Sequence, residues 1–129
     1  MKIEVSNGEI VDKLTILEIK LRNSDCDQKS KQIVKEMTYL SPIVEELNIP
    51  DELIDNLRVV NQKLWDVEDA LRVHEYNKDF GDEFVKLARS VYHTNDARFY
   101  HKSVINDLTN SDLTEEKILP QYKWEQNLT

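Results

Sequence analysis

The sequence has little glycine, proline or cysteine, and each shortage excludes a class of structure or site. Two glycines in 129 residues leave no room for a glycine-rich phosphate-binding loop. Three prolines interrupt few helices, and the abundance of Leu, Ile, Lys, Glu and Asp is typical of a mostly helical protein. The single cysteine, Cys26, excludes an intrachain disulfide and a cysteine-based metal site, so we expect a reducing compartment, the cytoplasm.

Positive charge and long apolar runs are lacking as well. The net charge is −8, which argues against nonspecific nucleic-acid binding because that binding needs a basic face. No stretch of eighteen apolar residues is present, as a membrane-spanning helix would require. The N-terminal MKIEVSNGE has no apolar core of a signal peptide. We therefore expect a protein that binds neither nucleic acid nor membrane.

The common catalytic and metal-binding motifs are also missing. None of the three histidines has a glutamate three residues before it, which the Glu-x-x-His pairs of di-iron bundles require, and no His-Glu-x-x-His occurs. Cys26 lies between Asp25 and Asp27, whose negative charges disfavour a reactive thiolate. We expect no metal and no cofactor, and these absences leave open whether the protein is an enzyme.

What the sequence does have is a helical repeat of apolar residues. They recur every three or four positions along four segments, which predicts an all-α fold, a bundle of four main helices. We predict one domain over 1–129: a lead-in over 1–6, helices over 7–22, 28–47, 50–77 and 80–108, and a less regular tail over 109–129. The last two helices form a long antiparallel hairpin. Ser6 and Glu9 form a capping box at the start of the first helix. Pro42 lies inside the second, which we predict to be one kinked helix because its apolar positions stay in phase.

The first predicted helix is apolar on two sides. Leu14 and Leu17 belong to one side, and Ile16 and Ile19 to another. A surface helix has one apolar stripe, so this helix either lies centrally in the bundle or contacts a partner chain. We expect a homodimer formed through this helix.

The predicted hairpin carries polar residues where its seam should be apolar. Folding the chain back near Lys78 brings Glu68 and Asp69 level with Arg89, because both helices rise equally per residue. Carboxylates opposite a guanidinium can form an ion-pair layer, which is either structural or a binding site. The candidate ligand-binding residues of this layer are Trp65, Glu68, Asp69, Arg89, Tyr92, Asn95, Asp96 and Arg98.

Three segments resemble an uncharacterised family of short bacterial and phage proteins, catalogued as domain of unknown function 6165. They are VSNGEIVDKLTILEIKL (5–21), LWDVED (64–69) and FVKLARSVYHTND (84–96). The resemblance covers most of the chain to about Asn106, and it is poorest over 25–55. It implies a small cytosolic helical protein whose relatives accompany surface-polysaccharide and glycosyltransferase genes. It brings no established activity.

Two functions are compatible with these observations. The first is a non-enzymatic protein-interaction module that self-associates and binds a partner protein. The alternative is a binder or enzyme for a small anionic ligand, a sugar phosphate or nucleotide, linked to surface-polysaccharide synthesis. In that alternative Arg89 and Arg98 hold the anion, Trp65 and Tyr92 pack against the ligand, and the acidic residues orient it. A closed set of ion pairs favours the first function, and a spare cation in a concave pocket favours the second.

Overall fold

A computed structural model describes residues 1–120, which form four α-helices packed as a bundle. The helices are α1 (Asn7–Asn23), α2 (Asp27–Glu46), α3 (Asp51–Tyr76) and α4 (Asp82–Leu108). This confirms the all-α prediction. Each helix begins and ends within two residues of its predicted bounds. The last nine residues of the predicted tail, 121–129, lie outside the described residues.

Short-range interactions explain how α1 begins. Ser6 is extended, and its Oγ accepts a hydrogen bond from the Glu9 N–H at 3.2 Å, so one of the first amides of the helix is satisfied. The reciprocal half of the predicted capping box does not form, because the Glu9 carboxylate contacts Lys102 of α4 instead. α2 continues through Pro42 as a single helix, in agreement with the apolar spacing across that residue.

α1 lies at the centre of the bundle. It contacts each of the other three helices, whereas α2 contacts α1 alone, and α3 and α4 pack along each other. Leu17 on one side of α1 and Ile19 on the other are both buried. The central position therefore accounts for both apolar sides within a single chain. The pattern no longer requires a partner at α1, and the homodimer stays a prediction.

The α3–α4 hairpin divides into two regions that differ in burial. On α3 and α4, every buried residue lies in 57–64 or 94–106, and residues 65–93 contain none. We call residues 65–93 the arm. We call α1, α2, and residues 51–64 and 94–108 together the base. The apolar core lies in the base and its connecting loop and consists of Val11, Val44, Ile49, Leu57 and Ile105.

Within residues 1–120, no helix has an apolar stretch of the length that a membrane crossing needs.

Candidate functional site

A polar network joins α1 to α3 and α4 in the middle of the base. Asp12 of α1 has no solvent exposure. Its Oδ1 accepts hydrogen bonds from Arg98 Nε and from Asn61 Nδ2, each at 2.9 Å, and its Oδ2 accepts one from Arg98 Nη2. Asn61 Nδ2 also donates to Thr15 Oγ1 at 2.9 Å, and that hydroxyl donates to the Asp12 carbonyl. Within residues 1–120, no buried side-chain nitrogen or oxygen is left without a hydrogen-bond partner.

The geometry between Asp12 and Arg98 is a two-point pairing of a carboxylate with a guanidinium. This pairing is the form in which a buried charge is best compensated, because both charges keep hydrogen-bond partners. The hydrogen bond to Asp12 raises the pKa of Arg98, against the opposing effect of burial. Arg98 is thus held as a cation inside the interface of α1 and α4.

A second cation, Lys102, lies one turn further along α4 and is buried, with only 5% of its surface exposed. Its Nζ lies 2.7 Å from Glu9 Oε2, and 3.1 and 3.2 Å from the two carboxylate oxygens of Glu115. Burial by itself lowers the pKa of Lys102, but the hydrogen bonds to Glu9 and Glu115 outweigh burial and raise it. Lys102 therefore remains charged, with two carboxylates around one ammonium group.

Gly8 allows α1 to approach α4 closely at the end of this network. A Cβ atom at position 8 would lie 2.5 Å from the backbone carbonyl oxygen of Lys102, a distance that no side chain tolerates. The Gly8 N–H donates to Asn106 Oδ1 at 2.6 Å, and the Asn7 N–H donates to Ser111 Oγ at 2.9 Å. Side chains from α4 and the residues after it thus satisfy the first amides of α1.

Residues 109–120 follow α4 and run back along it, and we call them the strap. The strap contains no helix or strand. Its Glu115 contacts Lys102. Its Lys117 lies 3.5 Å from Asp96 and 5.3 Å from the ring centre of Phe99. The strap therefore lies along the side of α4 that carries Asp96, Phe99 and Lys102.

The ion pairs expected between the two carboxylates, Glu68 and Asp69, and Arg89 do not form within residues 1–120. Glu68 and Arg89 are exposed, and neither forms an ion pair within residues 1–120. Asp69 pairs along its own helix with Arg72 at 3.5 Å. Two residues at the same height on neighbouring helices contact each other only if both side chains point into the interface between the helices. Arg89 is turned about 100° from Ala88, which lies on the seam of α4.

The other predicted residues lie in different environments. Arg98 belongs to the buried network of the base, and Asp96 contacts the strap. The Tyr92 ring stacks on His93 with the ring centres 4.8 Å apart. Trp65 and Asn95 are half-buried. The set as a ligand site stays a prediction.

Sequence reasoning missed the acidic half of the network, namely Asp12 and Glu9. A signal for it was present, because Gly8, Asp12, Thr15 and Ile19 follow one another in steps of four, three and four and so share one side of α1. All four are buried. A small residue and two polar residues in line with a core isoleucine indicate a side that packs closely and polarly on another helix.

The model of a family of unknown function (DUF6165) matches residues 1–122. The chain belongs to the DUF6165 family. This confirms the resemblance that the three segments carried. No curated protein and no solved structure matches this DUF6165 chain. Within its described residues, no group of three or more His, Cys, Asp or Glu side chains is placed to hold a metal ion. The matched range includes α1, the arm and the strap, so the polar network lies wholly inside it.

Proposed function

We propose that this DUF6165 protein is a self-associating interaction module and that a second copy packs on its arm. The observation that carries the proposal is that the arm has no buried residue. Helices in proteins gain most of their stability by burying an apolar face against other elements. In the arm only two helices meet, and seam residues such as Leu71, Phe84 and Leu87 are half-buried. A second pair of helices would complete this packing as a four-helix bundle.

The side of α3 that α1 covers in the base continues into the arm. On α3, Asn61, Trp65, Glu68 and Arg72 follow one another in steps of four, three and four and therefore share a side. Asn61 contacts α1, and the hydrogen bonds and ion pairs between α1 and α3 end at Gln62. Beyond Gln62 the same side of α3 extends past the reach of α1, which supports a second copy as the element that packs there.

The arm carries exposed residues of opposite charge, which can pair between two copies of the chain. Glu68 on α3 and Arg89 on α4 are exposed, and neither has an ion pair within residues 1–120. A twofold axis relating two copies repeats every contact, so Glu68 of each copy can pair with Arg89 of the other. Exposed large apolar side chains near the tip of the arm supply further contact area. They include Val73, Tyr76, Phe80 and Val85.

The ligand-binding alternative has less support. Arg98 is paired with Asp12, and Arg89 is exposed. A spare cation in a concave pocket was the condition that favoured a sugar phosphate or nucleotide in the predicted layer, and Asp12 already engages two of the three guanidinium nitrogens of Arg98. A role in surface-polysaccharide synthesis gains no support from these contacts. The single cysteine suits a reducing compartment, and we propose the cytoplasm.

Sedimentation equilibrium of the full chain over a range of concentrations tests the proposal. We expect a dimer for the unmodified chain. Glu68→Arg places like charges opposite each other at two symmetric positions, which is destabilising, and should weaken the dimer by about tenfold or more. The double variant Glu68→Arg with Arg89→Glu restores the pair in the opposite sense and should restore the dimer.

The matched control is Glu45→Arg, which reverses an exposed charge on α2 that has no side-chain partner within residues 1–120. We expect the dimer of this variant to be unchanged. The proposal fails if the unmodified chain is a monomer at every concentration. It also fails if Glu68→Arg associates as strongly as the unmodified chain.

A further inference from the structure

The strap places a carboxylate against the buried cation Lys102, one turn along α4 from the half-buried Arg98. Glu115 contacts Lys102 through both of its carboxylate oxygens. Its charge also acts on Arg98, one turn away on the same side of α4, and contributes to raising the pKa of that residue. A guanidinium and an ammonium group one turn apart on the same helix are a combination that binds oxyanions well.

Arg98 and Lys102 each have a carboxylate partner from α1 without Glu115. Asp12 pairs with Arg98, and Glu9 pairs with Lys102 at 2.7 Å. Asp12 occupies Nε and Nη2 of Arg98, and the third guanidinium nitrogen, Nη1, makes no hydrogen bond with residues 1–120. Glu115 is thus a third carboxylate, which pairs with Lys102 in addition to the carboxylate that α1 supplies.

The strap is held mainly by polar contacts at four residues, Thr109, Ser111, Glu115 and Lys117. None of its residues is buried, and Leu113 and Ile118 are exposed. The ion pair of Lys117 with Asp96 joins two partly exposed side chains and contributes little to stability. Lifting the strap therefore sacrifices little apolar burial, and it would remove the Glu115 carboxylate from Lys102 Nζ.

We propose that Arg98 and Lys102 form a binding site for the carboxylate or phosphate group of a small anionic ligand, and that Glu115 occupies this site in the structure described here. The ligand displaces Glu115 and leaves the pairs of Asp12 and Glu9 intact. The strap therefore competes with the ligand for the two cations. This inference concerns the base and does not depend on self-association of the arm.

The test is an anion titration of the full chain carrying Glu115→Ala, at constant ionic strength maintained with chloride. Inorganic phosphate and acetate are the probes, used separately to distinguish the two oxyanions. The NMR signals of Arg98 Nε–Hε and the Lys102 side chain report binding. We expect saturable shifts at both residues for at least one probe, with a Kd about tenfold or more below that of the unmodified chain because the competing carboxylate is gone.

The matched control is Glu116→Ala, which removes the neighbouring carboxylate of the strap. The Glu116 side chain is exposed, and its only hydrogen-bond partner within residues 1–120 is Thr114, so this variant should bind anions like the unmodified chain. A second variant, Glu115→Ala with Arg98→Lys, keeps a charge opposite Asp12 and should lose at least half of the gain. The proposal is overturned if Glu115→Ala shows no saturable shift at Arg98 or Lys102. Equal gains for Glu116→Ala and Glu115→Ala would also overturn it, because they would indicate a general charge effect.

Discussion

The base and the arm share helices α3 and α4, but the charged residues of the two regions have different partners. In the base, Arg98 and Lys102 lie on the seam of α4 and each meets a carboxylate of α1. In the arm, Glu68 and Arg89 are exposed and form no ion pair within residues 1–120. The difference is the third helix: α1 brings Asp12 and Glu9 to the base and does not reach the arm. A polar residue on a two-helix seam is therefore satisfied here by a third element rather than by the opposite helix.

The same comparison shows what the buried network does for the fold. Buried ion pairs seldom add stability relative to apolar packing, but a mismatched one is costly. If α1 shifted by one turn along α4, Asp12 would lose Arg98, and the amide of Gly8 would lose Asn106. The network thus selects one register of α1 on α4. The arm has no comparable constraint from a third helix.

Substituting Arg98 and Arg89 by methionine should give the largest difference in the free energy of unfolding between the base and the arm. Arg98→Met leaves Asp12 buried without its cation and should lower the free energy of unfolding by about 3–5 kcal/mol. Arg89→Met removes an exposed side chain without an ion pair and should change it by less than about 0.5 kcal/mol. Urea unfolding, monitored by circular dichroism at a protein concentration at which the chain is a monomer, measures both without a contribution from association. Equal losses for the two variants would remove the distinction between base and arm.

The two glycines provide a second, smaller contrast. Gly8→Ala forces a Cβ against the Lys102 carbonyl oxygen in the base and should cost about 1–3 kcal/mol, as overpacking usually does. Gly81→Ala at the start of α4 is the control. Its Cβ would be 3.4 Å from Asp79 Oδ1, and its φ is −76°. We expect it to be neutral or to stabilise by about 0.4–1 kcal/mol. Thermal unfolding of both variants measures the difference, and a harmless Gly8→Ala would contradict the close packing of α1 on α4.

The smallest expected effect is a dependence on pH at His101 in the base. Burial lowers the pKa of His101 from its ordinary value of 6.5. The unfolded chain therefore binds a proton at a higher pH than the folded chain does. The neutral form supports the fold above pH 6.5, and this contribution is lost as the pH falls through 6.5 toward the lower folded-state pKa. His101→Gln should reduce the slope of unfolding free energy against pH in that window. An unchanged slope would show that His101 is not the group responsible.

Particular residues show how far sequence reasoning reached. The start of α1 followed from Ser6, because a cap is a contact over three residues. The continuity of α2 through Pro42 followed from apolar spacing on one helix. The pairing of Glu68 and Asp69 with Arg89 was wrong, because the count of residues from the turn gives the height of a side chain but not its direction around the helix axis. The partners of Lys102, Glu9 and Glu115, lie on other segments, so the spacing along α4 does not indicate them.

The sequence by itself determined the helical class, the approximate ends of the helices and the family of this protein, because helix periodicity, caps and family patterns are properties of the order of residues along the chain. Tertiary structure alone decided that α1 is central, that Asp12 belongs to Arg98, and that the strap delivers Glu115 to Lys102. These contacts join residues 86 and 13 positions apart. They depend on the rotation and register of packed helices, which no local pattern specifies.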